Sequence, residues 1–594
     1  MIKKIIYFLN LFHRSFAEYK LHILVLTILG ILSGLFGGIG VSALIPAFSL
    51  AIGDGGVGED FVSKNIQSFF GVFGIDLTVA SVLLFIVLLF LLKAATTILF
   101  SYVSARITSE YEEKTRSRLF ENVLRARWPY LLTQKLGHLE KILMTNVGRS
   151  TAMLSQIGYA IMAAANLIVY MSVAVTISFF ITALTFVFGG ALFFLFLRPF
   201  ASRVRMLSAE TELIQRQVSH YINENILGLK TIQASGAGNT ITEGGARYFR
   251  DLRNLNIRSN ILSIFSSMLM EPIGIIFISV VFAFSYYVSP NFSIASLAAV
   301  IYLIRQIFSY LEQFYTHLLG FNDKAPYVEV LLQHQKEALE QKEENNGLNK
   351  FVFEKEFSFE NIDFSYNENS RVLNDISFTV KKGEFAGFIG PSGVGKTTIV
   401  DLVLRLFVPL SGKISLDGKD VLTISMEEWR KNIGYVSQDI FLMNDTVLNN
   451  IKFYDKSITS EKAEEAARMA NIYDFIMELP DKFLTVVGER GLLLSGGQRQ
   501  RLIIARVLAR EPKLLILDEA TSALDNESEV KIQKVIENLK GKITVIVVAH
   551  RLSTLTNSDI IFSLRDGKIA ESGSPQELLK DKDSYFYKVY NIRK

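Results

Sequence analysis

Residues 385–407 read FAGFIGPSGVGKTTIVDLVLRLF: a short apolar run, a glycine-rich turn, and an amphipathic pattern that opens on Lys-Thr-Thr. Phe385 to Ile389 has the length and composition of a buried strand, and Thr397 to Phe407 carries helical periodicity. Between them Gly390, Gly395, Lys396 and Thr397 fit G-x-x-x-x-G-K-[ST]. In such a loop backbone N–H groups curl around phosphates, the lysine reaches the terminal phosphates and the hydroxyl binds Mg²⁺. The expected phosphate cradle is therefore Gly390, Ser392, Gly393, Gly395, Lys396, Thr397 and Thr398, set at a helix N-terminus with its partial positive charge.

The remainder of the chain is too oily for an ordinary soluble enzyme. Of 594 residues, 50% are hydrophobic and 20% charged, and the mean hydropathy is +0.30, which places the chain among membrane proteins. A formal net charge of +4 says little by itself, and zero cysteines exclude disulfides and thiolate metal sites.

Apolar stretches long enough to span a bilayer run from His22 to Leu50 and from Leu77 to Ala105. Gly158 to Leu197 is about twice that length and reads as two helices joined near Ser178 to Thr182. Two more follow near Ile261 to Val288 and Ile294 to Gly320, which makes about six spans. Met1 to Lys20 is aromatic and basic without a cleavage site, and suits a helix lying on the membrane. Segments 106–156 and 198–260 each hold nine lysines and arginines, whereas the alternate connections hold only Lys64, so both long segments and both termini are expected in the cytoplasm. Their helical patterning predicts that the membrane helices continue beyond the bilayer and reverse near Trp128 to Thr133 and Ser235 to Thr242. The basic residues flank spans, so no nucleic-acid partner is expected.

Residues 1–332 thus form the expected transmembrane domain, and Gln333 to Lys350, QHQKEALEQKEENNGLNK, reads as a linker. Residues 351–594 change to the composition of a soluble α/β domain, with short apolar strands at Lys513 to Leu517 and Ile543 to Val548 between helical patterns. LLILDEATSALD, Leu514 to Asp525, is a buried strand ending in two carboxylates, with Asp518 placed to hold Mg²⁺ and Glu519 to polarise water. LSGGQRQR, Leu494 to Arg501, opens a helix on a glycine pair and forms a second anion site. Tyr366 in FSYNENSRVL can stack on adenine, Gln438 in YVSQDIF can sense the metal and the attacking water, and His550 in VVAHRLS can touch the γ-phosphate.

In this order these motifs resemble the ATP-binding cassette family, and specifically its exporters, over nearly the whole chain. GPSGVGKTT, VSQD, LSGGQRQR, LLILDEATSALD and AHRLST stand in the family's sequence behind a membrane domain, and VVGERG, Val486 to Gly491, looks like the exporter loop that contacts intracellular helices. The resemblance implies a six-helix transmembrane domain followed by an α/β P-loop cassette, with ATP and Mg²⁺ as ligands. It also implies a head-to-tail dimer, in which Lys396, Glu519 and Asp525 of one chain share ATP with Ser495, Gly496, Gly497 and Gln498 of the other. Intact motifs favour a homodimer, and the expected setting is a bacterial plasma membrane.

For the cargo, Lys93 in LLFLLKAATT and Arg305 in VIYLIRQIF lie mid-span, where a lysine costs ~3 kcal/mol to insert and normally faces a cavity or a partner. Glu271, in LMEPIG, is the candidate partner that would reduce both cations to structural ion pairs. Phe61 to Phe73 has an apolar face at helical spacing and suits an external interfacial helix. The external helix and the basic residues of spans two and six look like flippases of lipid-linked oligosaccharides, although no basic residue stands near Ser266 to Glu271. The expected function is ATP-driven flipping of an amphipathic anionic lipid or lipid-linked glycan. A multidrug or peptide exporter is the second transporter reading, and a cassette used as a regulator or gated channel is the reading from another class.

Overall fold

The computed structural model describes residues 11, 13–52, 61–192, 198–288, 294–345, 347–367, 371–520, 525–549 and 551–592. Two compact units are formed, one from Met1–Ala126 with Tyr130–Lys342 and one from Arg127–Pro129 with Glu343–Lys594.

The first unit is helical: α1 (Lys20–Ser42), α2 (Val79–Leu124), α3 (Val147–Ile177), α4 (Phe179–Leu192), α5 (Arg198–Leu227), α6 (Gly238–Met268), α7 (Met270–Val288) and α8 (Ile294–Glu340), with shorter pieces between. Among the described residues, four helical runs are long and apolar enough to cross a membrane, His13–Ala51, Val79–Leu124, Gly137–Ile177 and Gly238–Ala283, and α4 is a shorter apolar helix. The break between α3 and α4 falls at Ser178, whose backbone is extended (φ −152°), at the turn expected from sequence. Pro272 has no N–H to continue the α6 ladder, and the chain breaks just before it, between Met268 and Met270. At 46 residues α2 is about 69 Å long, more than twice the ~30 Å hydrocarbon core. The helices therefore do run well past any bilayer.

One expected reversal is a short helix, Trp128–Thr133. The other is Leu229–Ser235, closed by Gly236 in the left-handed region (φ +67°), so it begins ahead of the expected Ser235 to Thr242. The linker also starts later than expected. Helix α8 continues through Glu340, so Gln333 to Glu340 is exposed, charged helix surface, which a composition reading does not separate from a linker. Of the expected N-terminal interfacial helix, residues 1–10 and 12 lie outside the described residues. Phe16 and Tyr19 are buried against Tyr111 of α2, with ring centroids 5.1 and 5.8 Å apart. A helix is present at Phe61–Val72, where an external interfacial helix is expected, with Ile66 and Phe70 buried among Ala43, Ala47 and Val82.

Small residues let α1 approach α3 closely. Gly30, Gly34, Gly37 and Gly38 face Met162, Asn166, Val169 and Tyr170. Gly37 matters most, because a Cβ there would lie 2.6 Å from Tyr170 Oη and 3.0 Å from Lys93 Nζ.

The second unit holds two sheets among its described residues. β1 (Glu356–Ser365), β2 (Arg371–Lys381), β4 (Ser411–Leu416) and β5 (Lys419–Asp420) form an antiparallel sheet in the order β2-β1-β4-β5. β3 (Phe385–Ile389), β6 (Ile433–Val436), β7 (Leu514–Asp518), β8 (Thr544–Val548), β9 (Ile560–Arg565) and β10 (Lys568–Gly573) form the other, ordered β10-β9-β3-β8-β7-β6. Its five strands from β9 to β6 are parallel, and β3, β7 and β8 are buried on both faces, which explains why they read as continuous apolar runs. Three helices matter to the site: α9 (Lys396–Val403), α10 (Gly496–Leu508) and α11 (Asn526–Leu539).

Candidate functional site

The carboxyl ends of β3, β6 and β7 converge, and in an open parallel sheet that edge is where ligands bind. The loop leaving β3 delivers Gly390 (φ +150°), Gly393 (φ +79°) and Gly395 (φ +106°) to α9. Gly395 combines a left-handed backbone with a tight fit, since a Cβ there would lie 2.6 Å from the Leu373 side chain. Lys396 is buried and curls back over the loop, donating to the carbonyls of Gly390 (3.0 Å) and Pro391 (2.9 Å). Ser392 and Thr397 are exposed, so the Thr397 hydroxyl is open to a ligand at the first turn of α9.

Asp518 closes β7 and is 3% exposed, and its Oδ1 has no hydrogen-bond partner among the described residues. Burial pushes its carboxyl up to about 6, reinforced by the charges of Glu519 and Asp401 and opposed by Lys396. Burial likewise lowers the Lys396 ammonium, while Glu519 and Asp518 pull it back up. A buried carboxylate oxygen without a donor, beside a second carboxylate, suits a divalent cation, with the exposed Thr397 hydroxyl and Gln438 as further oxygen donors. Glu519 follows in the left-handed region (φ +50°), a strained backbone for a non-glycine residue and typical of functional positions. Its carboxylate accepts a 2.8 Å hydrogen bond from Gln438 Nε2, which joins the ends of β6 and β7. That contact was not legible in the sequence, because the two residues are 81 positions apart.

Tyr366 is packed perpendicular to Phe364 and Phe407, with ring centroids 5.0 and 5.2 Å away, and remains 46% exposed. Its hydroxyl meets Thr398 Oγ1 at 3.0 Å and Asp401 Oδ2 at 3.2 Å on α9. The sequence reading missed Asp401, which resembles any polar position of an amphipathic helix.

The second glycine motif stands apart from this cluster within the chain. Ser495 caps α10, accepting from Gln498 N at 3.2 Å, and Gln498 Oε1 accepts from Ser495 N at 2.7 Å. A Cβ on Gly497 would collide with the Ser528 side chain of α11, so glycine is required there for helix packing; Gly496 is the first residue of α10. Asp525 caps α11, accepting from Ser528 N at 3.3 Å. Among the described residues no hydrogen bond joins Ser495, Gly496, Gly497 or Gln498 to the phosphate loop. His550 lies outside the described residues.

In the helical unit Lys93 Nζ donates to Tyr310 Oη (3.3 Å) and Tyr170 Oη (3.4 Å) and lies 5.7 and 5.8 Å from the ring centroids of Phe90 and Tyr170. Arg305 and Glu271 are both exposed. Among the described residues neither Lys93 nor Arg305 is ion-paired with Glu271, so the expected alternative of a structural pair is not formed here. Glu271 instead lies within electrostatic reach of Glu312 on α8.

Residues 373–522 match the ABC transporter family, and residues 23–311 match the ABC transporter transmembrane region. An ATP-dependent lipid A-core flippase of Syntrophus aciditrophicus (strain SB) is 30% identical over 526 residues, covering 86% of this chain and 84% of that protein. The ATP-binding cassette sub-family B member 5 of Homo sapiens is 46% identical over 230 residues, which is 38% of this chain but only 18% of the human protein's length. The structure of a bacterial Atm1-family ABC exporter with ATP bound superposes with a TM-score of 0.80 at 23% identity, covering 97% of this chain and 99% of the other. The chain belongs to the ATP-binding cassette transporters: it is a multi-pass membrane half-transporter of the exporter type, whose cassette binds ATP and couples its hydrolysis to transport.

Proposed function

We propose that two copies of this chain form a flippase for an amphipathic anionic lipid, a lipid-linked glycan or glycolipid, in a bacterial plasma membrane with termini and cassettes in the cytoplasm. The observation that carries this reading is the setting of Lys93. Its ammonium sits mid-helix on α2 with two phenol hydroxyls and two aromatic faces around it, and among the described residues no carboxylate answers its charge. A phenol oxygen accepts an N–H bond but leaves the positive charge in place, so an anionic headgroup supplies what the bundle does not. The exposed Arg305 on α8 adds a second cation, and the lysine and arginine count of 106–156 and 198–260 supports the orientation. The name of the Syntrophus relative points the same way.

In the cassette, Lys396 and the backbone of Gly390 to Gly395 grip the terminal phosphates, and the Tyr366 ring stacks on adenine. Asp518, Thr397 and Gln438 would hold Mg²⁺, which when bound would neutralise charge on the β- and γ-phosphates. Glu519 polarises the attacking water and accepts its proton, released for that task from Gln438. Ser495, Gly496, Gly497 and Gln498 of the second chain close over the same nucleotide, and α2, α5, α6 and α8 carry that closure into the spans as rigid bodies.

A second reading, export of a neutral apolar solute, draws on a cavity of ≈270 Å³ between α3, α4 and α8, lined by Leu167, Met171, Phe186, Phe308, Leu311 and Phe314. One experiment separates them: reconstitute the parent and a Lys93→Gln/Arg305→Gln variant in proteoliposomes, and measure flipping of labelled anionic and zwitterionic lipids beside basal ATP turnover. The flippase reading expects anionic-lipid flipping to fall at least tenfold with basal turnover within twofold. Unimpaired flipping per folded molecule overturns it, and stimulation by apolar solutes alone favours the second reading.

A further inference from the structure

The Tyr366 hydroxyl is the middle of a directed chain. A carboxylate only accepts, so the phenol O–H donates to Asp401 Oδ2 (3.2 Å), and its own oxygen is then left to accept from Thr398 Oγ1 (3.0 Å). Thr398 is 4% exposed and held by its helix, so it is a fixed donor. Asp401 is half-buried on α9, and the Tyr366 hydroxyl is the sole hydrogen-bond partner of its carboxylate among the described residues. A carboxylate at that depth is unfavourable by itself: burial pushes it up, and only the phenol pulls it down. It sits one turn beyond the phosphate loop, and among the described residues no ion pair accounts for it. The tyrosine, for its part, needs an anchor. Its ring is 46% exposed, and Phe364 and Phe407 touch it only edge to face.

We propose that Asp401, with Thr398, is a positioning residue for nucleotide: it fixes the Tyr366 ring at the height and tilt at which the ring meets the base. The anchor is on the helix that begins with Lys396, so ring and phosphate loop are one rigid part. A base and a terminal phosphate are thereby held at a set separation before nucleotide arrives, and less side-chain freedom is lost on binding. A hydrogen bond to a charged acceptor is strong enough to hold a ring against its rotamer freedom.

This inference rests on the assignment of Tyr366 to adenine, and the experiment keeps the two apart. The full-length protein is purified in detergent as parent, Tyr366→Ala, Tyr366→Phe and Asp401→Leu, and ATP turnover is measured against ATP and against inorganic tripolyphosphate as competitor. Positioning predicts that Tyr366→Phe and Asp401→Leu raise the KM for ATP on the order of fivefold, with kcat within twofold and inhibition by tripolyphosphate unchanged. Asp401→Leu should also melt no lower than the parent, because a desolvated carboxylate has been removed; a merely structural role predicts a lower Tm with a fall in kcat beside any rise in KM. If Tyr366→Ala raises KM while Tyr366→Phe and Asp401→Leu do not, the ring stacks without its anchor and the inference is wrong. If Tyr366→Ala leaves KM unchanged, the adenine assignment itself fails. A matching loss of tripolyphosphate affinity would place the effect in the phosphate loop and overturn the positioning role.

Discussion

Replacing Asp518 by Asn should stabilise the nucleotide-free cassette, although it removes the residue proposed to hold Mg²⁺. The carboxyl is 3% exposed, one of its oxygens lacks a donor, and it is pushed from its ordinary value of 3.8 up to about 6. A raised carboxyl means that the folded state binds the proton more tightly than the unfolded state does. The contribution of this group to stability is therefore greatest below about 4, falls as pH rises through the window from about 4 to about 6, and stays low above it. Between those values the penalty on the charged form amounts to about 3 kcal/mol at pH 7.5 and about 1.6 kcal/mol at pH 5.0. The Asn variant carries none of it, so it should be more stable than the parent by about 3 kcal/mol at pH 7.5, with the advantage roughly halved at pH 5.0. For a cassette of this size 3 kcal/mol is roughly 6–12 °C in melting temperature. The assay is thermal unfolding of detergent-purified protein at both pH values, with chelator and without nucleotide, and then with Mg²⁺ and a non-hydrolysable ATP analogue. The order should invert in the second condition, because the parent can give its charge to the cation and the amide cannot. An Asn variant that melts at or below the parent at pH 7.5 without nucleotide, with no pH dependence in the difference, would refute the reasoning.

Glu519→Gln should lower ATP turnover by at least a hundredfold while ATP affinity stays within threefold, checked by steady-state kinetics and nucleotide titration; turnover within threefold of the parent removes Glu519 from the role of base. In mixed dimers, Lys396→Ala in one chain and Ser495→Arg in the other should have the activity of dimers carrying Lys396→Ala alone, since both defects fall in one shared site. A further halving of turnover would contradict the head-to-tail arrangement. Lys141 and Glu212 form a 2.6 Å pair at 2% and 4% side-chain exposure, and Glu212 also holds Arg216 at 2.9 Å. Glu212→Ala strands a buried ammonium and should cost about 3–5 kcal/mol, whereas Lys141→Ala leaves the carboxylate with Arg216 and should cost less; equal melting temperatures for the two variants would sink that asymmetry.

The readable parts of this sequence were those in which a residue type has few other uses. Gly390, Gly395, Lys396 and Thr397 at fixed spacing, and two carboxylates after a strand as apolar as Leu514 to Leu517, leave little room for another reading, and the structure brings them to one sheet edge. Ser178 was found because an apolar stretch of double length must turn somewhere. What escaped was set by distance along the chain or by exposed helix surface. Gln438 and Glu519 meet across 81 positions, Lys93 and Tyr310 across 217, and nothing local marks either contact. Gln333 to Glu340 has the composition of a linker and the conformation of a helix, because solvent accepts the same charged residues on both. Asp401 was passed over for the same reason: on an amphipathic helix a polar residue needs no explanation until its partner is seen.

The surroundings of Lys93 also explain one of the glycines of α1, Gly37. Tyr170 of α3 and Tyr310 of α8 reach the ammonium from two helices, and the space for both the phenol and the lysine head is the missing side chain at position 37. A methyl group there would overlap Tyr170 Oη, so one glycine on α1 permits a cluster whose charged member is on α2. Four helices thus meet at a positive charge that no carboxylate among the described residues compensates. Had evolution needed only to steady the bundle, a carboxylate within reach would do so more strongly than two phenols, and among the described residues none pairs with Lys93. Phenols satisfy the hydrogen bonds of an ammonium without cancelling its field. A bundle built that way keeps its lysine hydrogen-bonded in oil and still attractive to an anion, and any rotation of α1, α3 or α8 changes how many of those hydroxyls remain in place.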